Sequence, residues 1–388
     1  MEIASLVSFV VGTLGVAYTF AGYPLHAALR AKLQRSSRSP VPSSSLPGVT
    51  VVLVAYNEGA RIRSRVENLL AAEYPPEYLH VLVVSDGSTD DTAEQLQHEA
   101  RVSVLQQPQR SGKPSGLNLG VATAKTELIV FTDARQHFDP GAIRALAERF
   151  ADPAVGAVSG ALEIAPAASN TGGGVDAYWK LEKWIRASES QVDSAIGCTG
   201  AIYAIRRALF RPIPTDTLLD DVVIPMQIAL SGHRVLFEPR AVAWDPQPLE
   251  PAAEQRRKRR TLAGNFQMLF RYPGWLLPWR NRLWWPLIAH KYLRLLAPLF
   301  LLAAWIGNAG LLGSPIFRLL FAGQCTLYLI AAAAPWLPKS KLVSLPAGFV
   351  FLNLMSVRAF WHYVTSPDLQ RWETAPKPTE APPTESSH

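Results

Sequence analysis

Apolar positions along this chain follow two different patterns. Residues 3–29, IASLVSFVVGTLGVAYTFAGYPLHAAL, form a nearly unbroken apolar run, and three more follow at about 295–313, 315–335 and 342–363. As a helix, each is long enough to cross a hydrocarbon core of about 30 Å. Helices buried in a water-soluble core are the alternative, but the late runs are parted only by Gly313-Ser314-Pro315 and Pro338-Lys339-Ser340-Lys341, as tandem membrane spans are. Between the first run and the others the pattern shortens. TVVLVA (50–55), HVLVVS (80–85), VSVLQ (102–106) and ELIVFT (127–132) alternate with helical patterns near 59–72, 90–100 and 115–124. That alternation predicts an α/β domain, a mostly parallel sheet with helices on both faces.

These patterns divide the 388 residues into an N-terminal transmembrane helix at 1–30, a linker at 31–48, the α/β domain at 49–265, a basic and aromatic segment at 266–294, three transmembrane helices at 295–365, and a tail at 366–388. The linker carries the Ser- and Pro-rich SSRSPVPSSSLPG, and the Pro-, Thr- and Glu-rich tail lacks the apolar residues to build a core, so disorder is expected there.

The charge distribution then fixes orientation. Glu2 precedes the first run and Arg30, Lys32, Arg35 and Arg38 follow it, the reverse of a cleaved signal peptide. Cationic flanks stay in the cytoplasm, which places residues 30–294 there; Lys339 and Lys341 agree. The expected location is the inner, cytoplasmic membrane, with several passes.

One stretch is more positive than the chain's net charge of +7: Glu254 to Arg294 holds ten Lys or Arg and one acid, interleaved with Tyr272, Trp275, Trp279, Trp284 and Trp285. Such a composition suits an anionic lipid surface. Nucleic acid is not an expected partner, because the run would hold that polymer at the membrane with no nucleic-acid fold behind it. The two cysteines, Cys198 and Cys325, supply neither a disulfide framework nor a metal site.

Candidate chemistry lies at the carboxyl ends of the predicted strands, where ligands bind in open α/β sheets. Tyr56-Asn57-Glu58 follows the first strand, Asp86-Gly87-Ser88 the second and Asp133-Ala134-Arg135 the fourth. Each alone is ordinary turn chemistry. Three at corresponding strand ends point to one shared site.

Six segments carry a family resemblance: VAYNE (54–58), VSDGSTDDT (84–92), SGKPSGLNLG (111–120), FTDAR (131–135), GCTGAIYAIRR (197–207) and LDDVVIPMQIALSGHRVLFEP (219–239). In this order they resemble the family 2 inverting glycosyltransferases of the GT-A nucleotide-sugar-binding fold, over 49 to about 265, and the flanking spans resemble those of bacterial polysaccharide-synthesising members.

The resemblance implies a nucleotide-sugar donor, with a UDP-sugar favoured, and assigns Asp86 to the uracil imide and Tyr56, Asn57 and Glu58 to the nucleoside. Lys113, beside Pro114 at a helix start, suits the diphosphate. Asp133 is the implied ligand of Mg²⁺ or Mn²⁺, and Arg135 stands where the family's second metal-holding aspartate belongs. Either Asp133 holds the ion with help from phosphate oxygens, or the Arg135 guanidinium neutralises the diphosphate itself. Asp221 is the implied base that takes the acceptor hydroxyl proton, with Asp220 as its supporting neighbour.

Gly200, after an expected irregular region at 186–196, lies in the segment that the resemblance assigns to the acceptor, a glycan or a lipid-linked glycan; a simple strand-entry turn is the alternative. Gln255, Arg256 and Arg257 sit where processive members carry Gln-X-X-Arg-Trp, without its Trp, and are assigned to acceptor or donor phosphate. Transfer of a single sugar is favoured over polymer synthesis with export. The competing reading is a non-catalytic nucleotide-binding subunit of a polysaccharide assembly complex, favoured by Arg135 and the missing Trp.

Overall fold

A computed structural model describes residues 2–34, 46–97, 99–164, 173–245, 251–338 and 340–365. Most of the linker, Lys339 and the tail fall outside these residues. The first apolar run forms α1 (Glu2–Ala17) and α2 (Tyr23–Leu33), joined through a π turn at Tyr18–Gly22. There follow β1 (Val49–Ala55), α3 (Gly59–Leu70), β2 (Leu79–Asp86), β3 (Val102–Gln107), α4 (Lys113–Thr123), β4 (Leu128–Thr132), β5 (His137–Phe138), α5 (Ala142–Glu148) and β6 (Val155–Ile164). The rest comprises α6 (Gly173–Val192), β7 (Ile202–Arg206), α7 (Asp220–Leu230), β8 (Arg234–Asp245), α8 (Pro251–Arg271), α9 (Trp284–Leu287), α10 (Leu293–Ala309), α11 (Pro315–Ala333) and α12 (Lys341–Thr365).

The strands form one sheet in the order β3-β2-β1-β4-β7-β6-β8-β5. Strands β3, β2, β1 and β4 are parallel, as expected. The other half adds two strands of opposite direction to the expected mostly parallel sheet: β7 is antiparallel to both β4 and β6, β6 is parallel to β8, and β5 is antiparallel to β8. The cause is where the chain re-enters. Ile202, which starts β7, lies opposite Thr132, which ends β4, so β7 begins at the end where β4 stops.

Strand β1 is buried along its whole length, and its period-two alternation feeds two cores. Val51 and Leu53 pack with Ile62, Val66, Leu69, Ile143 and Leu146 on one face. On the other, Val52 and Val54 pack with Leu117, Ile129, Phe131 and Val222. Helices α3 and α5 therefore cover one side and α4 and α7 the other.

Three local expectations also change. The helix expected at 90–100 is only a 3₁₀ turn at Glu94–Leu96. The irregular region expected at 186–196 is largely helix, because α6 runs to Val192; its inward Glu182 and Glu189 are buried polar residues, which hides the apolar periodicity. Helix α8 crosses the expected boundary at 265 without a break, and its end packs on α12 through Phe266 against Phe360 and Phe270 against Tyr363.

Four helical stretches are long and apolar enough to cross a membrane: Glu2–Leu33, Trp284–Ala309, Pro315–Trp336 and Lys341–Thr365. The second starts at Trp284, earlier than the expected 295. The chain is thus a multi-pass membrane protein with a mixed α/β domain.

Candidate active site

The polar residues at the ends of β1, β2 and β4 are stitched together by their own hydrogen bonds. Asn57 adopts a left-handed backbone, φ 53°, and its Oδ1 accepts from the Thr89 N–H at 2.8 Å. The Asn57 and Glu58 N–H groups donate to Ser88 Oγ (3.1 Å) and Thr92 Oγ1 (2.9 Å), tying the β1 loop to the β2 loop. Asp86 is 3% exposed, and its two carboxylate oxygens accept from the Ser111 N–H (2.7 Å) and the Gly112 N–H (2.9 Å). It therefore shapes the loop entering α4, whatever else it binds. Gly87 has φ 65°, and a Cβ there would lie 2.5 Å from the Arg110 nitrogen, so this turn requires glycine.

Arg110, which the motifs do not mark, places its guanidinium 4.0 Å from the Tyr56 ring centroid. Its Nε and Nη2 are buried without a hydrogen-bond partner, which leaves two unmet donors beside Tyr56.

A charged row runs from the start of α4 towards α7. Lys113 Nζ lies 2.8 Å from Asp133 Oδ1 and 3.5 Å from Asp220 Oδ2. Burial would draw the Lys113 ammonium below its ordinary value, but Asp133 and Asp220 beside it raise it above that value, so it is a fixed cation. Glu58 moves upward through burial, opposed by Arg61 at 3.0 Å and reinforced by Asp133 and Asp90.

Asp220 and Asp221 occupy the first turn of α7, where unpaired N–H groups favour carboxylates. Asp221 Oδ2 accepts from the Gly200 N–H at 3.1 Å, and its main-chain carbonyl accepts from the Cys198 N–H at 2.7 Å. A Cβ on Gly200 would stand 3.3 Å from that same Oδ2, so a larger residue would press on the carboxylate. Burial, and then the Asp220 carboxylate, push Asp221 up to about 6 against the pull of Lys113. A carboxylate poised near 6 is mostly ionised at neutral pH yet basic enough to accept a proton. Beneath the pair, the Tyr203 hydroxyl is fully buried and without a partner.

The structure brings Lys113, Asp133, Asp220, Asp221 and Gly200 into one continuous group. Arg135 Nη2 lies 2.5 Å from Asp245 Oδ2, at the end of β8, so one nitrogen of its guanidinium is already ion-paired. Gln255 and Arg256 are exposed on α8, and Arg257 is half-buried.

Among the described residues no three His, Cys, Asp or Glu side chains gather as a metal cluster. Asp133, part-exposed and held by Lys113 on one oxygen, still fits a divalent ion whose other ligands come from a diphosphate and water, since Mg²⁺ takes few protein ligands.

Arg65 is a supporting residue that went unmarked. Wholly buried, it donates to Thr132 Oγ1 (2.7 Å) and to the Asp133 carbonyl (3.3 Å), which pins the end of β4. Its signal was an arginine on the apolar face of α3, three residues after Ile62 and four before Leu69.

Residues 50–213 match the family described as glycosyl transferase family 2. The poly-beta-1,6-N-acetyl-D-glucosamine synthase of Staphylococcus aureus (strain COL) is 26% identical over 234 residues, 58% of this chain and 56% of the relative. The synthase of the same name from Staphylococcus epidermidis is 25% identical over 263 residues, 65% of this chain and 60% of the relative. The chain thus spans less than two thirds of the length of these relatives. Among solved structures, the mannosyltransferase PcManGT from Pyrobaculum calidifontis, in complex with GDP-Man and Mn²⁺, superposes with a TM-score of 0.70 at 23% identity, covering 93% of this chain and 100% of that one; this likeness concerns the fold.

Proposed function

We propose that this chain, a membrane-associated glycosyltransferase whose residues 50–213 form a family 2 domain, transfers a sugar from a UDP-sugar with inversion to a glycan or lipid-linked acceptor in cell-envelope or extracellular polysaccharide synthesis. The observation that carries this reading is Asp221: a partly buried carboxylate raised to about 6, fixed by the Gly200 N–H, in the same charged row as Lys113 and Asp133.

In a single displacement the acceptor hydroxyl attacks the anomeric carbon while Asp221 takes its proton, and the nucleotide leaves from the opposite face. Asp220, beside Lys113, keeps Asp221 basic through like-charge repulsion. Lys113 stabilises negative charge growing on the leaving diphosphate. Asp133 is the residue that would hold Mg²⁺ or Mn²⁺, which supplies charge neutralisation at that diphosphate. Tyr56 offers the nucleobase a stacking face, Asp86 a carboxylate acceptor and Arg110 its two unmet donors. The catalytic domain lies on the cytoplasmic side of the inner membrane, by the Lys and Arg flanks of the first span.

The test is a donor screen on detergent-purified full-length protein, read as release of free nucleotide. UDP-N-acetylglucosamine comes first, given the product named for the staphylococcal relatives, with other UDP-sugars and GDP-mannose alongside. Release from one UDP-sugar supports the reading. Inertness towards all donors with acceptor present would favour a non-catalytic nucleotide-binding subunit.

A further inference from the structure

A set of charged groups buried between α6 and the membrane helices has no part in the mechanism above. Glu189 is 4% exposed, and three donors from three parts of the chain converge on it. The Tyr23 hydroxyl donates to its Oε1 at 2.5 Å, His290 Nδ1 lies 2.9 Å from the same oxygen, and the Ile196 N–H donates to its Oε2 at 3.1 Å. Tyr23 belongs to the span Glu2–Leu33 and His290 to the span Trp284–Ala309. His290 is itself fully buried, with Nε2 3.0 Å from Glu182 Oε1, and Arg294 donates to Glu182 Oε2 at 2.7 Å. Burial alone would push the Glu189 carboxyl up; the His290 ring, the Tyr23 hydroxyl and the Ile196 N–H hold it below its ordinary value. A carboxylate this deep keeps its charge only while its partners stay in place.

Ile196 begins the segment that reaches the base. Cys198 donates its N–H to the Asp221 carbonyl at 2.7 Å, Thr199 to Ser159 Oγ at 3.0 Å and Gly200 to Asp221 Oδ2 at 3.1 Å. Gly197 turns the segment at φ 82°, so its course is set by the bonds on either side rather than by a helix or strand. The Ile196 amide held by Glu189 and the Gly200 amide held by Asp221 are four residues apart on this segment.

We propose that Glu189 is a positioning residue: it sets the Ile196–Gly200 segment against Asp221, and the two membrane helices hold Glu189 in place through Tyr23 and His290. The seating of the membrane helices thereby becomes a requirement for an ordered base. The proposal rests on the reading of Asp221 as that base. A merely structural junction would instead tie the domain to the membrane and loosen it as a whole when broken.

The experiment uses full-length protein in lipid nanodiscs, comparing wild type with Glu189→Gln and Tyr23→Phe. The second variant keeps the ring packing and deletes one donor, and it decides the matter if Glu189→Gln fails to fold. Amide hydrogen exchange is followed in peptides covering 194–200 and in β1, β2 and β4, and steady-state turnover is measured with the active donor. Exchange at 194–200 is expected to rise by about fivefold or more with the strands unchanged. Turnover is expected to fall by about tenfold in Glu189→Gln, with the donor KM within about twofold of wild type. Unchanged exchange at 194–200, or acceleration spread equally through the domain, would overturn the proposal. The exchange arm needs no turnover, so an inert wild type would count against the transferase reading alone.

Discussion

Asp221→Asn is expected to make the folded protein more stable at neutral and alkaline pH. Burial and the adjacent Asp220 raise this carboxyl from 3.8 to about 6. The folded state then binds the proton more tightly than the unfolded chain, and keeping Asp221 ionised above pH 6 costs the fold about 3 kcal/mol. Partial access of solvent to the residue trims this to about 1–3 kcal/mol. Asparagine is neutral and keeps an oxygen for the Gly200 N–H, so the variant recovers most of that cost. At about 2–4 °C per kcal/mol for a domain of this size, the midpoint should rise by several degrees.

The sign follows from linkage. The wild-type penalty is absent below the unfolded value near 3.8, grows as pH rises towards the folded value near 6, and is constant above it. Thermal unfolding in detergent at pH 8 and at pH 4.5 should therefore show a clear gap between variant and wild type at pH 8 that shrinks at pH 4.5. No gap at pH 8, or a gap that widens on acidification, would refute the burial and repulsion assigned to Asp221.

Asp86→Ala should weaken UDP binding more than it slows turnover of bound donor, and should destabilise the fold by about 1–3 kcal/mol because the Ser111 and Gly112 N–H groups lose their acceptor; equal UDP affinity by titration would reduce Asp86 to a loop residue. Turnover should stop in EDTA and return with Mg²⁺ or Mn²⁺, since Arg135 already pairs with Asp245 and Asp133 is the carboxylate left to hold an ion; full activity in EDTA would point to a metal-independent transferase.

The parallel half of the sheet was legible because β1, β2 and β4 are short, β-branched and bounded by turn residues, and because their polar ends fall together in the fold. The motif order then located Lys113, Asp133, Asp220 and Asp221, which the structure joins into one row. What escaped detection depends on contacts remote in sequence. Arg135 finds Asp245 only because β5 pairs with β8. Glu182 and Glu189 look like the polar face of a surface helix until His290 and Arg294, more than 100 residues later, come to lie against them. A signal did exist: His290, Lys291 and Arg294 stand within a span long and apolar enough to cross a membrane, where ionisable groups are rare and face a partner. Arg110 had no motif to mark it, and its relation to Tyr56 is a matter of loop shape.

The base role of Asp221 is tested most directly by nucleotide release from the active UDP-sugar, in the presence of acceptor, by wild type and Asp221→Asn side by side, with UDP affinity measured on both. An amide preserves the shape of the side chain but cannot take up the acceptor proton, so transfer by the variant should fall by about a hundredfold or more while UDP affinity stays near wild type. Turnover by Asp221→Asn within about tenfold of wild type would contradict that role.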